Sequence, residues 1–417
     1  MSVSIKQGRL RFVIRALVDL VGVLAPLKTY DVPKDSSSKR ILIFNWRDSK
    51  HTYAGGAEVY IEQLAKRWVK DGNKVTLFCG SDGQGAPRHE TLDGMQIIRR
   101  GGNYFVYIWA FLYYMLRLRG KYDVIIDCHN GIPFFTPLFA REPVICVVHH
   151  IHQDVFKQHL SPMLAKFACW LEAVLMPRAY KYSQYVAVSP STKREMEELG
   201  MQSTKGIEII YNGVDLENLK PGEKAKDPLV IFLGRLQAYK SIDVLLRSFK
   251  LVVAKHPKAK LVIAGGGDAA DSLRSLTKDL QLSDSVDFTG KVTEKEKKSL
   301  FQSAWVMANP SMKEGWGITT IEANACATPV VGSDVAGLRD SINHDETGTL
   351  FPYGDHHALS DALSNMISDG DGRDKMAKNA HEWAQRFHWD KSSDQMKHLI
   401  DVETAPLRAE KSVGEAV

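Results

Sequence analysis

The sequence is poor in cysteine and has no large excess of charge of either sign. Its five cysteines stand far apart at positions 79, 128, 146, 169 and 326, and none has the Cys-x-x-Cys spacing of a zinc site. A disulfide framework is not indicated either, so we expect small buried thiols in a reducing cytoplasm. The 54 basic and 49 acidic residues give a net charge of +5, which does not indicate nucleic-acid binding.

Long apolar runs are also missing, since no stretch reaches the roughly 18–20 apolar residues of a membrane-spanning helix. Residues 9–28 mix basic and apolar residues, but Asp19 interrupts the apolar part, unlike in a signal peptide. This segment is expected either to lie on an anionic membrane as an amphipathic helix or to pack on its own domain. Residues 104–116 are rich in Tyr, Phe and Trp and predict a buried helix, with membrane docking as the alternative.

Short β-branched and apolar runs alternate with helical patterns, which predicts parallel sheets built from βαβ units. At 417 residues, with 44 % hydrophobic and 25 % charged residues, the chain should form two or three globular domains. The predicted strands are 40–45, 74–79, 95–99, 122–128, 143–148, 185–188, 206–210, 228–233, 259–264, 285–288, 304–308, 328–332 and 349–352.

The pattern restarts after a turn at residues 211–215, which indicates two facing doubly wound α/β domains with a ligand cleft between them. The predicted organisation is a basic N-terminal segment and linker (1–38), a first Rossmann-like domain (39–214), a second one (222–385), a C-terminal helix that packs back on the first domain (386–405) and a flexible tail (406–417).

Two glutamates, Glu314 and Glu322, bracket a glycine-containing turn and the start of a predicted helix. The amides of Gly317, Ile318 and Thr319 open this helix and can bind an anion. A carboxylate on each side of a phosphate-binding helix end suits a nucleotide-activated sugar, with hydroxyls at both ends and a diphosphate between them. Chance spacing of two glutamates is the alternative.

Other candidate site residues follow predicted strands. Arg235 and Lys240 follow the first strand of the second domain, where two cations can clamp a diphosphate; ordinary surface cations are the alternative. Gly265 lies in a later loop that can approach a ligand, with a plain loop as the alternative, and Val292 lies in another loop whose backbone groups can contact a base edge. In the first domain, Gly55 and Gly56 precede a helix with Ile61, Leu64, Ala65 and Trp68 along one face.

His149, His150 and His152 follow another strand of the first domain. No helical His-x3-His or acidic pattern accompanies them, so we expect no metal site and no cofactor. If they continued the strand, His150 and His152 would share one face. We expect His152 to contact a sugar hydroxyl and the other two to be structural.

These motifs resemble those of the retaining nucleotide-sugar glycosyltransferases of glycosyltransferase family 4, which have the GT-B fold. The resemblance covers about residues 40–400. It rests on Glu314-Gly-Trp-Gly-Ile-Thr-Thr-Ile-Glu322 and the following Ala-Asn-Ala-Cys-Ala-Thr-Pro-Val-Val, and on Gly55-Gly56-Ala57-Glu58, Ala187-Val188-Ser189, Asn212-Gly213-Val214-Asp215, Gly234-Arg235 with Lys240, and Gly337-Leu338.

The resemblance implies a role for each candidate residue. Glu322 would bind the ribose hydroxyls, and Glu314 would hold the transferred sugar near its anomeric carbon. Arg235 and Lys240 would bind the diphosphate. From the first domain, the Gly55-Gly56 loop would line the donor, and His152 would touch the sugar.

The sequence departs from the family pattern at three positions. Ser241 and Ala327 stand where family members often have glycine, and Gln153 follows His152 where they often have aspartate. None of these changes removes charge from the predicted diphosphate site. The change at Gln153 affects the side on which the acceptor is expected.

The predicted function is transfer of a hexose from a UDP- or GDP-linked donor, with retention, to a glycan or polyprenyl-linked lipid acceptor. The reaction would belong to cell-surface polysaccharide or glycolipid synthesis. It would take place in the cytoplasm or at the inner face of the cell membrane. The alternatives are a non-catalytic nucleotide-sugar-binding module and a sugar-nucleotide epimerase on the same fold.

Overall fold

The computed structural model describes residues 38–414, so the predicted basic segment lies outside the described residues except for position 38. The described chain divides into two compact units. Unit 1 contains residues 38–187, 195–208 and 393–414, and unit 2 contains residues 188–194 and 209–392.

Unit 1 is built on an eight-stranded sheet in the order β3-β4-β2-β1-β5-β6-β7-β8. Its strands are β1 Arg40–Phe44, β2 Lys74–Cys79, β3 His89–Leu92, β4 Met95–Arg99, β5 Val124–His129, β6 Val144–Val148, β7 Gln184–Ala187 and β8 Ile207–Ile209. β1 pairs in parallel with β2 and β5, whereas the edge strand β3 is antiparallel to β4. The central strands are buried on both faces, as their continuous apolar runs predict.

The helices of the first half of the chain are α1 Gly56–Lys70, α2 Gly102–Tyr113, α3 Gln153–His159, α4 Pro162–Trp170, α5 Met176–Ala179 and α6 Pro190–Glu198. Two five-residue π-helical segments continue helices, Tyr114–Leu118 after α2 and Leu171–Leu175 after α4. In α1, the predicted face of Ile61, Leu64, Ala65 and Trp68 is buried.

Unit 2 is built on a six-stranded sheet in the order β11-β10-β9-β12-β13-β14, paired in parallel. Its strands are β9 Leu229–Leu233, β10 Lys260–Ala264, β11 Val286–Gly290, β12 Val306–Asn309, β13 Val330–Ser333 and β14 Gly348–Phe351. The helices are α7 Ile242–Lys255, α8 Ala270–Asp279, α9 Glu294–Ser303, α10 Ile318–Ala325, α11 Ala336–Ser341, α12 His356–Ser368 and α13 Gly370–Ala384. The last helix, α14 Trp389–Gly414, begins in unit 2, and its residues 393–414 belong to unit 1.

The later part of α14 is held within unit 1 by polar contacts. Nζ of Lys39 donates to Oγ1 of Thr404 at 2.5 Å and lies 3.6 Å from a carboxylate oxygen of Asp401. Lys205 pairs with the nearly buried Glu403 at 2.6 Å. α14 covers both the segment expected as a C-terminal helix and most of the segment expected as a tail.

The structure confirms the predicted strands and adds β3, a half-exposed edge strand with little apolar sequence. Two expectations are wrong. Residues 104–116 are not simply buried, because Tyr104 is 82 % exposed and Leu116 is 63 % exposed while Val106 and Ala110 face the core. His150 and His152 do not continue a strand, since β6 ends at Val148. Among the described residues, no helix is long and apolar enough to cross a membrane.

Two residues that replace glycine of the family pattern have left-handed backbones. Ser241 has φ +49° and precedes α7, and Ala327 has φ +54° shortly after α10. A side chain in this region costs about 1–2 kcal/mol because Cβ approaches the following carbonyl oxygen. The two departures therefore carry backbone strain, which the sequence comparison alone did not reveal.

Candidate active site

The loops after β9 and β12 bring Lys240 and Glu314 together in unit 2. These strands are neighbours and run in parallel, so their carboxyl ends lie at the same edge of the sheet. Nζ of Lys240 is 2.5 Å from Oε1 of Glu314, and both side chains are largely buried. The same carboxylate oxygen accepts a hydrogen bond from Oγ of Ser311 at 2.9 Å.

Arg235 precedes a short 3-10 helix, Ala238–Lys240, and Lys240 is its last residue. The guanidinium of Arg235 donates to the hydroxyl of Tyr239 at 2.6 Å, and Nζ of Lys240 lies 5.2 Å from the centre of the same ring. The backbone oxygen of Tyr239 accepts from the amide of Met312 at 2.8 Å. The loop with the two cations is thus tied to the loop with Glu314.

α10 begins immediately after the Glu314 loop. Its N-cap, Gly317, has φ +81°, a conformation that glycine adopts without strain. The amides of Ile318 and Thr319 open the helix, where the first N–H groups have no acceptor within the helix. This end of α10 combines N–H donors with the positive end of a helix dipole, as an anion site requires.

Glu322, on α10, forms an ion pair with Lys297 of α9 at 2.8 Å. Burial raises the pKa of the Glu322 carboxyl, and Lys297 acts against this. Burial would lower the pKa of Lys297, but Glu322 and Glu294 outweigh it and raise that pKa. No motif pointed to Lys297, which lies on a strongly charged helix with the appearance of a solvated surface.

Gly265 and Val292 lie in the loops after β10 and β11; β10 is adjacent to β9 in the sheet, and β11 is the edge strand beyond β10. Gly265 has φ +141°, and a Cβ there would lie 1.8 Å from the carbonyl oxygen of Gly234. The glycine is therefore required by close approach to the loop that carries Arg235. Val292 is half-buried.

The Gly55-Gly56 loop of unit 1 is held by Glu58. Gly55 is the N-cap of α1, and its amide donates to Oε2 of Glu58 at 2.7 Å. Oε1 of Glu58 accepts from Arg47 at 3.1 Å and from Asn130 at 2.7 Å. Glu58 is fully buried, and its hydrogen bonds hold this loop in place.

His152 belongs to a buried cluster in unit 1 that the sequence did not predict. Its Nδ1 lies 3.4 Å from Oε1 of Glu172, and Nε2 of His129 lies 3.4 Å from the same oxygen. The three side chains are at least nine-tenths buried and offer atoms within 4.8 Å of one another, close enough to hold a metal ion. His129 and Glu172 come from β5 and from the π-helical segment after α4, so only the fold brings them to His152.

Burial lowers the pKa of His129 to about 4 and that of His149 to about 3, well below the ordinary value of about 6.5. Their contribution to stability is complete above pH 6.5 and is lost as the pH falls towards the folded-state pKa. Because of each of these two histidines, the free energy of unfolding should fall by about 2 kcal/mol between pH 7 and pH 5. Urea unfolding at the two pH values measures this loss.

A His149→Gln variant is the matched test of this pH dependence. It removes one buried imidazole, so the loss of unfolding free energy between pH 7 and pH 5 should be smaller by about 2 kcal/mol. An unchanged loss in the variant would contradict the contribution assigned to His149.

The unit 2 cluster presents two cations, a helix N-terminus and two carboxylates at one edge of a parallel sheet. The cations and the helix end can stabilise a departing diphosphate, and the carboxylates can accept hydrogen bonds from sugar hydroxyls. The fold and this cluster define a GT-B glycosyltransferase. Sequence profiles agree, because "Glycosyltransferase Family 4" matches residues 54–218 and "Glycosyl transferases group 1" matches residues 215–383. The protein is a glycosyltransferase of the group 1, family 4 type.

Individual proteins are similar over most of the chain. Glycosyltransferase MJ1607 of Methanocaldococcus jannaschii is 28 % identical over 364 residues, 81 % of this chain and 91 % of its own. Sucrose-phosphate synthase of Thermosynechococcus elongatus has a TM-score of 0.76 at 21 % identity, covering 88 % of this chain and 100 % of its own. HepE of Anabaena, solved with UDP and glucose, has a TM-score of 0.70 at 20 % identity, covering 87 % and 100 %.

Proposed function

We propose that the protein is a retaining hexosyltransferase that uses a UDP- or GDP-linked sugar. The observation that carries this proposal is the contact of Lys240 with Glu314, beside Arg235 and the N-terminus of α10. The cations and the helix amides are complementary to a diphosphate, and the carboxylate is complementary to the hydroxyls of a sugar. Glu322, farther along α10, is the proposed ribose anchor. HepE, solved with UDP and glucose, supports UDP-sugars as the first donors to test.

In the proposed reaction, the bond between the anomeric carbon and the diphosphate oxygen breaks first. Arg235, Lys240 and the amides of Ile318 and Thr319 stabilise the charge that develops on the departing diphosphate. The acceptor hydroxyl forms the new bond on the same face of the sugar, and its proton passes to the leaving phosphate. We expect the step to need no metal ion, since these cations and amides offset part of the diphosphate charge.

Two alternatives differ in what they produce. An epimerase would convert the sugar nucleotide without an acceptor, and a binding module would bind it without turnover. The set of Arg235, Lys240, Glu314 and Glu322 supports transfer over binding alone, because cations placed at a leaving phosphate contribute most as the bond breaks.

A thermal-shift screen over UDP- and GDP-sugars tests the donor class. A true donor at about 100 times its Kd should raise the unfolding free energy by about 2.7 kcal/mol. A Glu322→Gln variant should show a smaller shift at the same concentration. Failure of every nucleotide sugar to stabilise the protein would contradict the proposal.

Analysis of the product tests the chemistry. The selected donor is incubated with mixed glycan and lipid acceptors, and the new linkage is examined by NMR. We expect the anomeric configuration of the donor to be kept. An inverted linkage would refute retention, and an epimerised donor without transfer would favour the epimerase.

We also propose a lipid-linked acceptor, reached by peripheral contact of unit 1 with the inner face of the cell membrane. Large apolar side chains are exposed on α2 with its π-helical extension and on α4. These are Tyr104, Ile108 and Leu116 on the former, and Met163, Leu164, Phe167 and Trp170 on the latter. Lys166 on α4 and Arg119, directly after the π-helical extension of α2, are also exposed, which suits an anionic lipid surface. The free cysteines fit a reducing cytoplasm.

Vesicle co-sedimentation tests this contact. Replacing Phe167 and Trp170 by serine should lower binding to anionic vesicles by at least about tenfold, because two apolar side chains no longer leave water. Val402→Ser, also at an exposed apolar residue, is the matched control. Equal pelleting of all three proteins would contradict the proposal. A 39–417 truncation tests the N-terminal segment separately, since equal pelleting with the full chain would remove it as an anchor.

A further inference from the structure

Glu172 lies in a segment whose backbone departs from α-helical geometry. It lies in the π-helical segment Leu171–Leu175, directly after α4. Such segments insert a residue into a helix, change the direction of its side chains and occur frequently at functional sites. Glu172 is fully buried, although no arginine or lysine forms an ion pair with it among the residues that the structure describes. A buried carboxylate in this situation needs other partners.

Nitrogen groups surround the carboxylate. The backbone amide of His152 donates to Oε1 at 2.8 Å, and Nε2 of Gln153 donates to Oε2 at 2.8 Å. Nδ1 of His152 and Nε2 of His129 each lie 3.4 Å from Oε1. Three of these nitrogens face Oε1 and one faces Oε2. The two amides donate hydrogen bonds, whereas the two imidazole nitrogens make close contacts at 3.4 Å without hydrogen-bond geometry.

The electrostatics favour an ionised carboxylate. Burial alone would raise the pKa of Glu172, but its contacts with His152 and His129 outweigh burial and lower that pKa. His129 is neutral at physiological pH, because burial lowers its pKa to about 4. The cluster therefore holds a carboxylate that only accepts hydrogen bonds, and the nitrogens facing it must carry the protons.

We propose that Glu172 is a positioning residue that fixes the tautomer and the orientation of His152. Nδ1 of His152 carries the proton towards Glu172, which leaves Nε2 as a hydrogen-bond acceptor for a sugar hydroxyl. The nature of that hydroxyl group rests on the proposed function, whereas the tautomer does not. His152 also stacks on Phe156 and lies against His150, so its ring has a defined plane.

This role accounts for the departure at position 153. Where family members often have aspartate after the histidine, this chain has Gln153, and its amide donates to Glu172. The carboxylate next to His152 thus comes from a distant part of the chain. Gln153 also contacts the end of α4, because its side-chain amide donates to the carbonyl oxygen of Cys169 at 3.1 Å.

The same three side chains also have the composition of a divalent-cation site. Both oxygens of Glu172 already accept N–H groups at 2.8 Å, however, and a cation on Oε1 would compete with the backbone amide of His152. Each oxygen of the carboxylate thus has a hydrogen-bond donor without a cation. The metal site is therefore the alternative outcome of the test.

NMR of the full chain with 15N-labelled histidine tests the tautomer directly. The His152 signals are identified by their loss in His152→Gln. We expect a protonated Nδ1 and an unprotonated Nε2 in the unmodified protein without substrate. The opposite tautomer would overturn the proposal whether or not transfer activity is found, and this measurement needs no Glu172 variant to fold.

Glu172→Leu removes the acceptor, and Asp154→Asn, an exposed acid on α3, is the matched control. In Glu172→Leu the preference for the Nδ1-protonated form should disappear. Its kcat should fall about 100-fold with little change in the donor KM, since a misplaced group costs reactivity more than nucleotide binding. A folded variant with unchanged tautomer and kcat would overturn the proposal. So would one bound zinc per chain, with activity lost to a chelator and restored by zinc.

Discussion

Replacing Arg235 with alanine is expected to lower kcat/KM for sugar transfer by about 10²- to 10³-fold, the usual cost of losing one preorganised charge-stabilising group. Arg235 directly follows β9 at the carboxyl edge of the unit 2 sheet, and Tyr239 accepts a hydrogen bond from its guanidinium. This bond orients the guanidinium before substrate arrives. The loss should be larger in kcat than in KM, because charge on the diphosphate grows as the bond breaks.

Arg247→Ala is the matched control for this prediction. Arg247 is exposed on α7, a few residues farther along the same unit, so its loss should leave kcat/KM within about twofold of the unmodified protein, an effect of less than about 0.5 kcal/mol. Initial rates with the donor found by thermal shift supply the comparison. Equal activity of Arg235→Ala and Arg247→Ala would remove Arg235 from the diphosphate site.

Glu314→Gln should lower kcat by at least about 10²-fold, with a smaller effect on donor affinity. The carboxylate is proposed to hold the transferred sugar, and its Oε1 contacts Lys240 and Ser311. Glutamine keeps the size of the side chain but not its charge, so both the sugar contact and the position of Lys240 are affected. Glu346→Gln, at an exposed position of unit 2, should retain full activity.

The contact between Glu314 and Lys240 also predicts that substitutions at the two residues are coupled. Residues in contact do not act independently, so Lys240→Met and Glu314→Gln together should cost less than the sum of the two single changes. A coupling of at least about 1 kcal/mol in kcat/KM is expected. Strict additivity would mean that the pair does not act as one unit in the reaction.

The predictions from sequence succeeded where local pattern decides structure. Continuous apolar runs identified the buried strands, and the predicted strand ends placed Arg235, Lys240 and Glu314 in loops at one edge of a sheet; their roles in a site stay predictions. Parallel neighbours β9 and β12 necessarily bring these loops to one edge. The edge strand β3 was missed because a strand of this kind carries little apolar sequence.

Contacts between distant segments could not be predicted in the same way. Lys297 pairs with Glu322 only because α9 lies against α10, and Glu172 reaches His152 only because a helix changes to π-helical geometry at Leu171. Neither residue stands in a recognisable motif. Likewise, the pattern of residues 104–116 predicts a helix but does not specify which of its aromatic side chains the fold leaves exposed.

Ser241 and Ala327, two of the six non-glycine residues with positive φ in the described part of the chain, offer a route to a more heat-resistant enzyme. Each is adjacent to, but separate from, the charged groups of unit 2, since Ser241 follows Lys240 and Ala327 follows the helix that carries Glu322. Restoring glycine there would relieve backbone strain while leaving every proposed charge in place. The entropy of glycine in the unfolded chain offsets part of this gain at both positions, and position 241 also loses the contact of Ser241 Oγ with the hydroxyl of Tyr353 at 3.2 Å, so Ala327 is the better site. An engineer could therefore raise the tolerance of this protein to temperature without altering the chemistry of its candidate active site.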